Sequence, residues 1–238
     1  MPIEDNKILN IVDEFSRFAN RYKNYNSIQS KVASTLVSKI EIQSYDTIVD
    51  LGCGDGEIYK NINQSIFFEH FIALDYSKEM LNIHPSNSKI KKIYGDFSKL
   101  NDIDLDYNTS LIISSSALQW SPSIEKTISL ISSKSSKINL AIFTSNTFKT
   151  LHKIANISSP IYDINYLKEI ISKYIPNITF ETKSYKLDFD STKDMLRYIK
   201  RSGVSGGEKR LSLRDTRTLI EKYPLKYLEF EILFAIKL

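Results

Sequence analysis

Three of the seven glycines of this 238-residue chain fall within five positions, in the run Asp50-Leu51-Gly52-Cys53-Gly54-Asp55-Gly56. The run follows an apolar, β-branched segment and precedes a helical pattern, so it reads as a strand-to-helix turn. Glycines at such a turn let the chain reverse sharply and bring bare backbone against a ligand. A dinucleotide fingerprint needs glycine or alanine five residues after the first glycine, where the helix packs beneath a pyrophosphate. Glu57 stands there instead, which disfavours a pyrophosphate. Two further carboxylates end later strands: Asp75, 21 residues after Gly54, and Asp96 in Gly95-Asp96-Phe97. A carboxylate placed like Asp75 can accept hydrogen bonds from both hydroxyls of a ribose. Capping of the next helix falls better to Ser77. Asp96, after a glycine, is also an ordinary turn residue.

Other chemistries find few residues. Cys53 is the only cysteine, which excludes an internal disulfide and a thiolate zinc cluster. In the glycine turn it reads as a small side chain, not a nucleophile. His70, His84 and His152 lack metal-ligand spacing, so no metal is expected. No Ser-His-Asp or Cys-His set stands out.

The elements that must position these residues follow from hydrophobic period. Residues 47–51, 71–75, 90–94, 111–115 and 138–143 are short apolar runs, read as strands of a parallel sheet covered on both faces. Between and after them, helices are expected at about 56–63, 77–83, 122–132 and 164–174. The stretches 178–189 and 226–238 alternate like long strands and are expected to pair antiparallel at one end of the sheet. Helical spacing recurs at Ile8, Leu9, Val12, Phe15 and Phe18, and again at Ile28, Val32, Leu36 and Ile40. The expectation is a doubly wound α/β domain with an antiparallel edge.

Bulk properties agree with one domain. Hydrophobic content is 42% and charged content 25%, ordinary for a globular chain. No run of about 18 apolar residues predicts a membrane helix, and the acidic start does not read as a secretory signal. A cytoplasmic protein is expected. The net charge of +4 is uneven. Between Arg197 and Lys226, nine basic residues face three acidic ones, a local +6 that points to an anionic partner or substrate.

The pattern Asp50-x-Gly52-x-Gly54-x-Gly56 resembles the first motif of class I S-adenosylmethionine methyltransferases. That cofactor carries an ammonium, a carboxylate and a sulfonium, and Asp50 suits its cationic methionine end better than a phosphate. The resemblance implies a mostly parallel seven-stranded sheet with an antiparallel C-terminal edge and a helical N-terminal cap. It also implies cofactor contacts from Asp50, Gly52, Cys53, Gly54, Gly56, Asp75, Tyr76, Asp96, Phe97 and Ser114, with Asp96 and Phe97 at the adenine. The division expected is a cap over 1–40, a cofactor-binding core over 45–145, and substrate-facing segments over 146–165 and 190–222.

After the fourth strand comes Ser-Ser-Ser-Ala-Leu-Gln119-Trp120, without the Asn-Pro-Pro-Tyr type of motif that methylates adenine amino groups. The pyrimidine-type catalytic cysteine is missing too. Both absences weigh against nucleic acid. Ala-Leu-Gln-Trp is similar to the carboxylate-methylating branch of the family, including trans-aconitate methyltransferases. Segments 15–37, 147–154, 195–206 and 223–236 resemble, in order, the malonyl-[acyl-carrier protein] O-methyltransferases of biotin synthesis. The stretch from Gly207 to Tyr223 is shorter than that likeness leads one to expect.

This likeness implies a malonyl thioester on acidic acyl carrier protein as substrate, docked by the +6 segment. No general base is needed, because a carboxylate is already ionised at neutral pH. Pocket candidates are Tyr22, Gln119, Trp120, Lys200 and Arg201. Trp120 is equally readable as a core residue, and Lys200 and Arg201 as a solvated helix end. Three alternatives stay open: another small carboxylate as acceptor, RNA met by the basic segment, or a cofactor-binding partner protein without activity.

Overall fold

A computed structural model describes residues 26–62, 66–103, 109–201 and 212–237. Helix α1 spans Ser27–Val37. Then β1 (Ser44–Leu51), α2 (Glu57–Asn61), β2 (Phe67–Asp75), α3 (Lys78–Ile83) and β3 (Ile90–Tyr94) form the first half. The second half is β4 (Thr109–Ser115), α4 (Ile124–Ser132), β5 (Ile138–Phe143), α5 (Lys149–Ala155), α6 (Ile164–Tyr174), β6 (Thr179–Asp188), α7 (Thr192–Arg201), α8 (Leu213–Lys222) and β7 (Tyr227–Lys237). Short 3-10 turns at Phe97–Asp102 and Leu118–Trp120 were not anticipated by periodicity.

The seven strands form one sheet in the order β3-β2-β1-β4-β5-β7-β6. The pairs from β3 to β5 are parallel. Strand β7 runs antiparallel to both β5 and β6, so it lies inside the sheet next to the edge. Edge strand β6 carries Glu181, Lys183 and Lys186, charges that discourage pairing with a further strand.

Alternation along the central strands supplies two cores. Ile48, Phe71 and Ile113 join α1, α2 and α5 residues such as Leu36, Ile58 and Leu151. Val49, Ile72 and Ile112 join Ile128 of α4 and Leu167 of α6. Each of these six strand residues is fully buried, a contribution of about 1.5–3 kcal/mol apiece. The parallel strands therefore end together, and Gly52, Asp75, Asp96 and Ser115 gather at their C-terminal ends.

Helix ends follow local chemistry. Helix α2 begins at Glu57, not 56, because Gly56 sits at its N-cap with φ +89°. Helix α3 is capped by the Ser77 hydroxyl, which accepts from the Met80 N–H at 3.2 Å. The N-terminal helical pattern up to Phe18 lies outside the described residues. Among the described residues, no helix is long and apolar enough to cross a membrane.

Candidate active site

The glycine turn is bare for different reasons at different positions. Gly52 has φ +73°, and a Cβ there would lie 2.3 Å from the Cβ of Ala117. Its bareness is demanded by the neighbouring turn after β4. Gly54 has φ +53° and nothing within 4 Å of where a Cβ would stand, while its N–H donates to Asp75 Oδ2 at 2.8 Å. Its missing side chain leaves room in a cavity lined by Asp50, Gly52, Cys53, Gly54 and Asp75. Gly56 does not line that cavity. It faces buried His84, whose ring would meet a Cβ at 2.9 Å.

The carboxylates around the cavity are in unlike states. Asp50 is fully buried, and neither of its oxygens has a hydrogen-bond partner. Burial first, and the nearby Asp75 second, push its carboxyl well above the usual range. Asp75 is also raised by burial, but N–H bonds from Gly54 and Ser77, each 2.8 Å, work in the opposite direction. Asp96 accepts from the Ser98 N–H and hydroxyl at 2.8 and 2.7 Å, and so caps the following 3-10 turn. Asp55 is paired with Lys60 at 2.7 Å. Tyr76 and Phe97 line the cavity, and the Tyr76 ring stacks on Tyr94 with centroids 5.5 Å apart. Burial raises the Cys53 thiol, which keeps it protonated and fits a small turn residue.

Opposite these groups, the chain leaving β4 supplies Ser115, Ser116, Ala117, Trp120 and Pro122. Ser116 holds φ +60°, a strained backbone for a residue with a side chain. Trp120 lines the cavity, is half-buried and belongs to neither core, so it is a wall residue and not a core one. Two residues expected here point elsewhere. Ser114 does not line the cavity; its hydroxyl donates to the Leu51 carbonyl at 2.7 Å and ties β4 to β1. Gln119 is 2% exposed and turns back to donate to the Ser116 carbonyl at 2.6 Å, which braces the turn. Tyr22 lies outside the described residues, as do the side chains of Lys200 and Arg201.

Helix α1 contributes Gln29 and Ala33 to the cavity. The likeness of segment 15–37 implies that its glutamine leads into the cap over the site but assigns it no contact, and Ala33 was not singled out. Among the described residues, no group of histidine, cysteine, aspartate and glutamate is placed to hold a metal ion.

Comparison with known proteins defines the class. Residues 49–132 match the methyltransferase domain family. The fold is shared with a methyltransferase bound to the Trm112 activator of Haloferax volcanii, at a TM-score of 0.58 and 15% identity over 94% of this chain and 97% of that one. It is shared also with the plantazolicin methyltransferase BpumL, solved with S-adenosylhomocysteine, at 0.56 and 12% over 98% and 99%. The chain has the class I methyltransferase fold and is an S-adenosylmethionine-dependent methyltransferase. The cavity fits that cofactor: bare backbone at Gly54, an unpartnered carboxylate at Asp50 and aromatic faces at Tyr76 and Phe97.

More particularly, the sequence is similar to malonyl-[acyl-carrier protein] O-methyltransferases. That of Bacillus cereus is 22% identical over 80% of this chain and 78% of its own length. That of Calditerrivibrio nitroreducens is 23% identical over 89% and 86%.

Proposed function

We propose that this chain methylates the free carboxylate of a malonyl thioester carried on acyl carrier protein, an early step of biotin synthesis. The observation that carries the reading is the likeness to malonyl-[acyl-carrier protein] O-methyltransferases along 80 to 90% of the chain, well beyond the cofactor-binding half. A cytoplasmic setting belongs to the same reading.

When bound, the cofactor supplies a methyl group on a cationic sulfur, which a carboxylate oxygen displaces directly. The protein's task is then to hold, orient and dry the reactants. Asp50 and the glycine turn hold the methionine half. Asp75 accepts from the ribose, and Asp96 with Tyr76 and Phe97 receives the adenine. Ala117, Trp120 and Pro122 form an apolar wall that keeps water from the acceptor. Alignment of this kind contributes about 7–11 kcal/mol in well-oriented systems, and water exclusion adds to it. No side chain has to remove a proton, because the attacking carboxylate is already ionised at neutral pH. Lys200 or Arg201, with Tyr22, receives the malonyl carboxylate. The basic segment, with Arg214, Arg217, Lys222 and Lys226 exposed, steers the acidic carrier.

The test is methyl transfer from labelled cofactor to malonyl-acyl carrier protein, malonyl-CoA, trans-aconitate and bulk tRNA in parallel. The carrier-bound malonyl group is expected to be the best acceptor. Transfer to trans-aconitate alone would redirect the reading to a small free acid, and transfer to tRNA alone would end it.

A further inference from the structure

A second residue brings the cavity a buried oxygen that lacks a donor. Gln29 of α1 is 8% exposed and lines the cavity, and its Oε1 accepts no hydrogen bond. Asp50, from the end of β1, presents both oxygens in the same condition. Buried acceptors without donors are rare in folded proteins, because each loses its bonds to water and gains nothing in return. Two consecutive elements, α1 and β1, thus bring three donor-starved oxygens to one cavity. Asp75, by contrast, already receives two backbone N–H groups, and Asp96 is engaged by Ser98.

What would satisfy the three is a compact group with several N–H donors and a positive charge. An alkylammonium has three donors on one atom and meets that description. We infer that Gln29 is a second anchor, alongside Asp50, for the α-ammonium of the methionine half of S-adenosylmethionine. The inference deepens the proposed placement of Asp50 and rests on it. It also gives α1 a task besides packing, since α1 lies against α2, the helix that the glycine turn opens. The ligand's amino group then ties the capping helix to the sheet. Cofactor and demethylated product both carry that group, so both meet Gln29, whereas 5′-methylthioadenosine cannot.

Titration calorimetry with S-adenosylmethionine, S-adenosylhomocysteine and 5′-methylthioadenosine tests this on the wild type, Gln29→Leu and Gln29→Glu. Gln29→Leu is expected to weaken the first two about 10-fold, as for a lost bond to a charged group, and to leave the third unchanged. Gln29→Glu keeps an acceptor of the same shape and is expected to hold the cofactor within about 3-fold of wild type. It also serves if the leucine variant melts early. The inference is overturned if Gln29→Leu leaves cofactor affinity intact or weakens 5′-methylthioadenosine equally. It is overturned as well if Gln29→Glu loses as much as leucine, which would make the amide a donor to the ligand's carboxylate. Failure of the wild type to bind the cofactor would strike the cofactor reading itself.

Discussion

Asp50 joins the cost of folding to the capacity to bind. Its carboxyl is buried without a donor, so its folded pKa lies above the unfolded value. Below about pH 4 both states are protonated and burial costs little. As pH rises from there, the unfolded chain ionises freely while the folded one resists, and stability is lost progressively through the raised folded pKa. Asp50→Asn removes that titration. Its denaturation free energy is expected to fall less than wild type between pH 5 and pH 8, as read from urea melts at each pH. The same variant is expected to lose cofactor affinity at least about 10-fold by calorimetry, since a charged partner is gone. A pH slope identical to wild type would show that Asp50 is not the strained group.

At the level of elements, strand β7 does more than close the sheet. The Glu231 carboxylate accepts from the Thr144 hydroxyl at 2.6 Å and the Asn146 amide at 2.9 Å. The Glu229 carboxylate receives the Thr150 N–H of α5 at 3.0 Å. These bonds hold the segment after β5 against the strand. Glu231→Ala is expected to destabilise the fold by about 1–3 kcal/mol, because two donors lose their acceptor. A lowered urea midpoint at unchanged slope would register it.

Much of this architecture was readable in advance. The parallel strands announced themselves as apolar runs, and the glycine turn, Asp75 and Asp96 lie where strand ends were expected. Alternation in 178–189 and 226–238 revealed two strands and their antiparallel pairing, but not which of them lies inside, so the insertion of β7 between β5 and β6 was out of reach. Ser114 and Gln119 were placed in the site by resemblance; within β4 the Ser114 hydroxyl instead ties to the Leu51 carbonyl, and Gln119 folds back onto the Ser116 carbonyl, contacts that residue order does not reveal. Gln29 was legible through the likeness of segment 15–37, but nothing in the sequence showed that its oxygen is buried without a donor.

Across the whole molecule, charge is unevenly spread. The segment Arg197 to Lys226 carries a local +6 on a chain of net +4. Its described part includes α8, where Ser212 and Asp215 form a capping box and Arg214, Arg217 and Lys222 are exposed. Reversing those three to glutamate is expected to raise KM for malonyl-acyl carrier protein about 10-fold or more at low salt, and far less near 0.5 M salt, where screening is short-ranged. KM for malonyl-CoA is expected to move little. Equal changes for both acceptors would place the segment outside carrier docking.

Where the methyl group goes decides the function. Purified protein incubated with S-adenosylmethionine and malonyl-acyl carrier protein, followed by intact-mass and fragment analysis of the carrier, reads it directly. One methyl ester is expected on the terminal carboxyl of the malonyl group and none on the carrier's own side chains. A carrier left unmethylated by protein that binds the cofactor would contradict it.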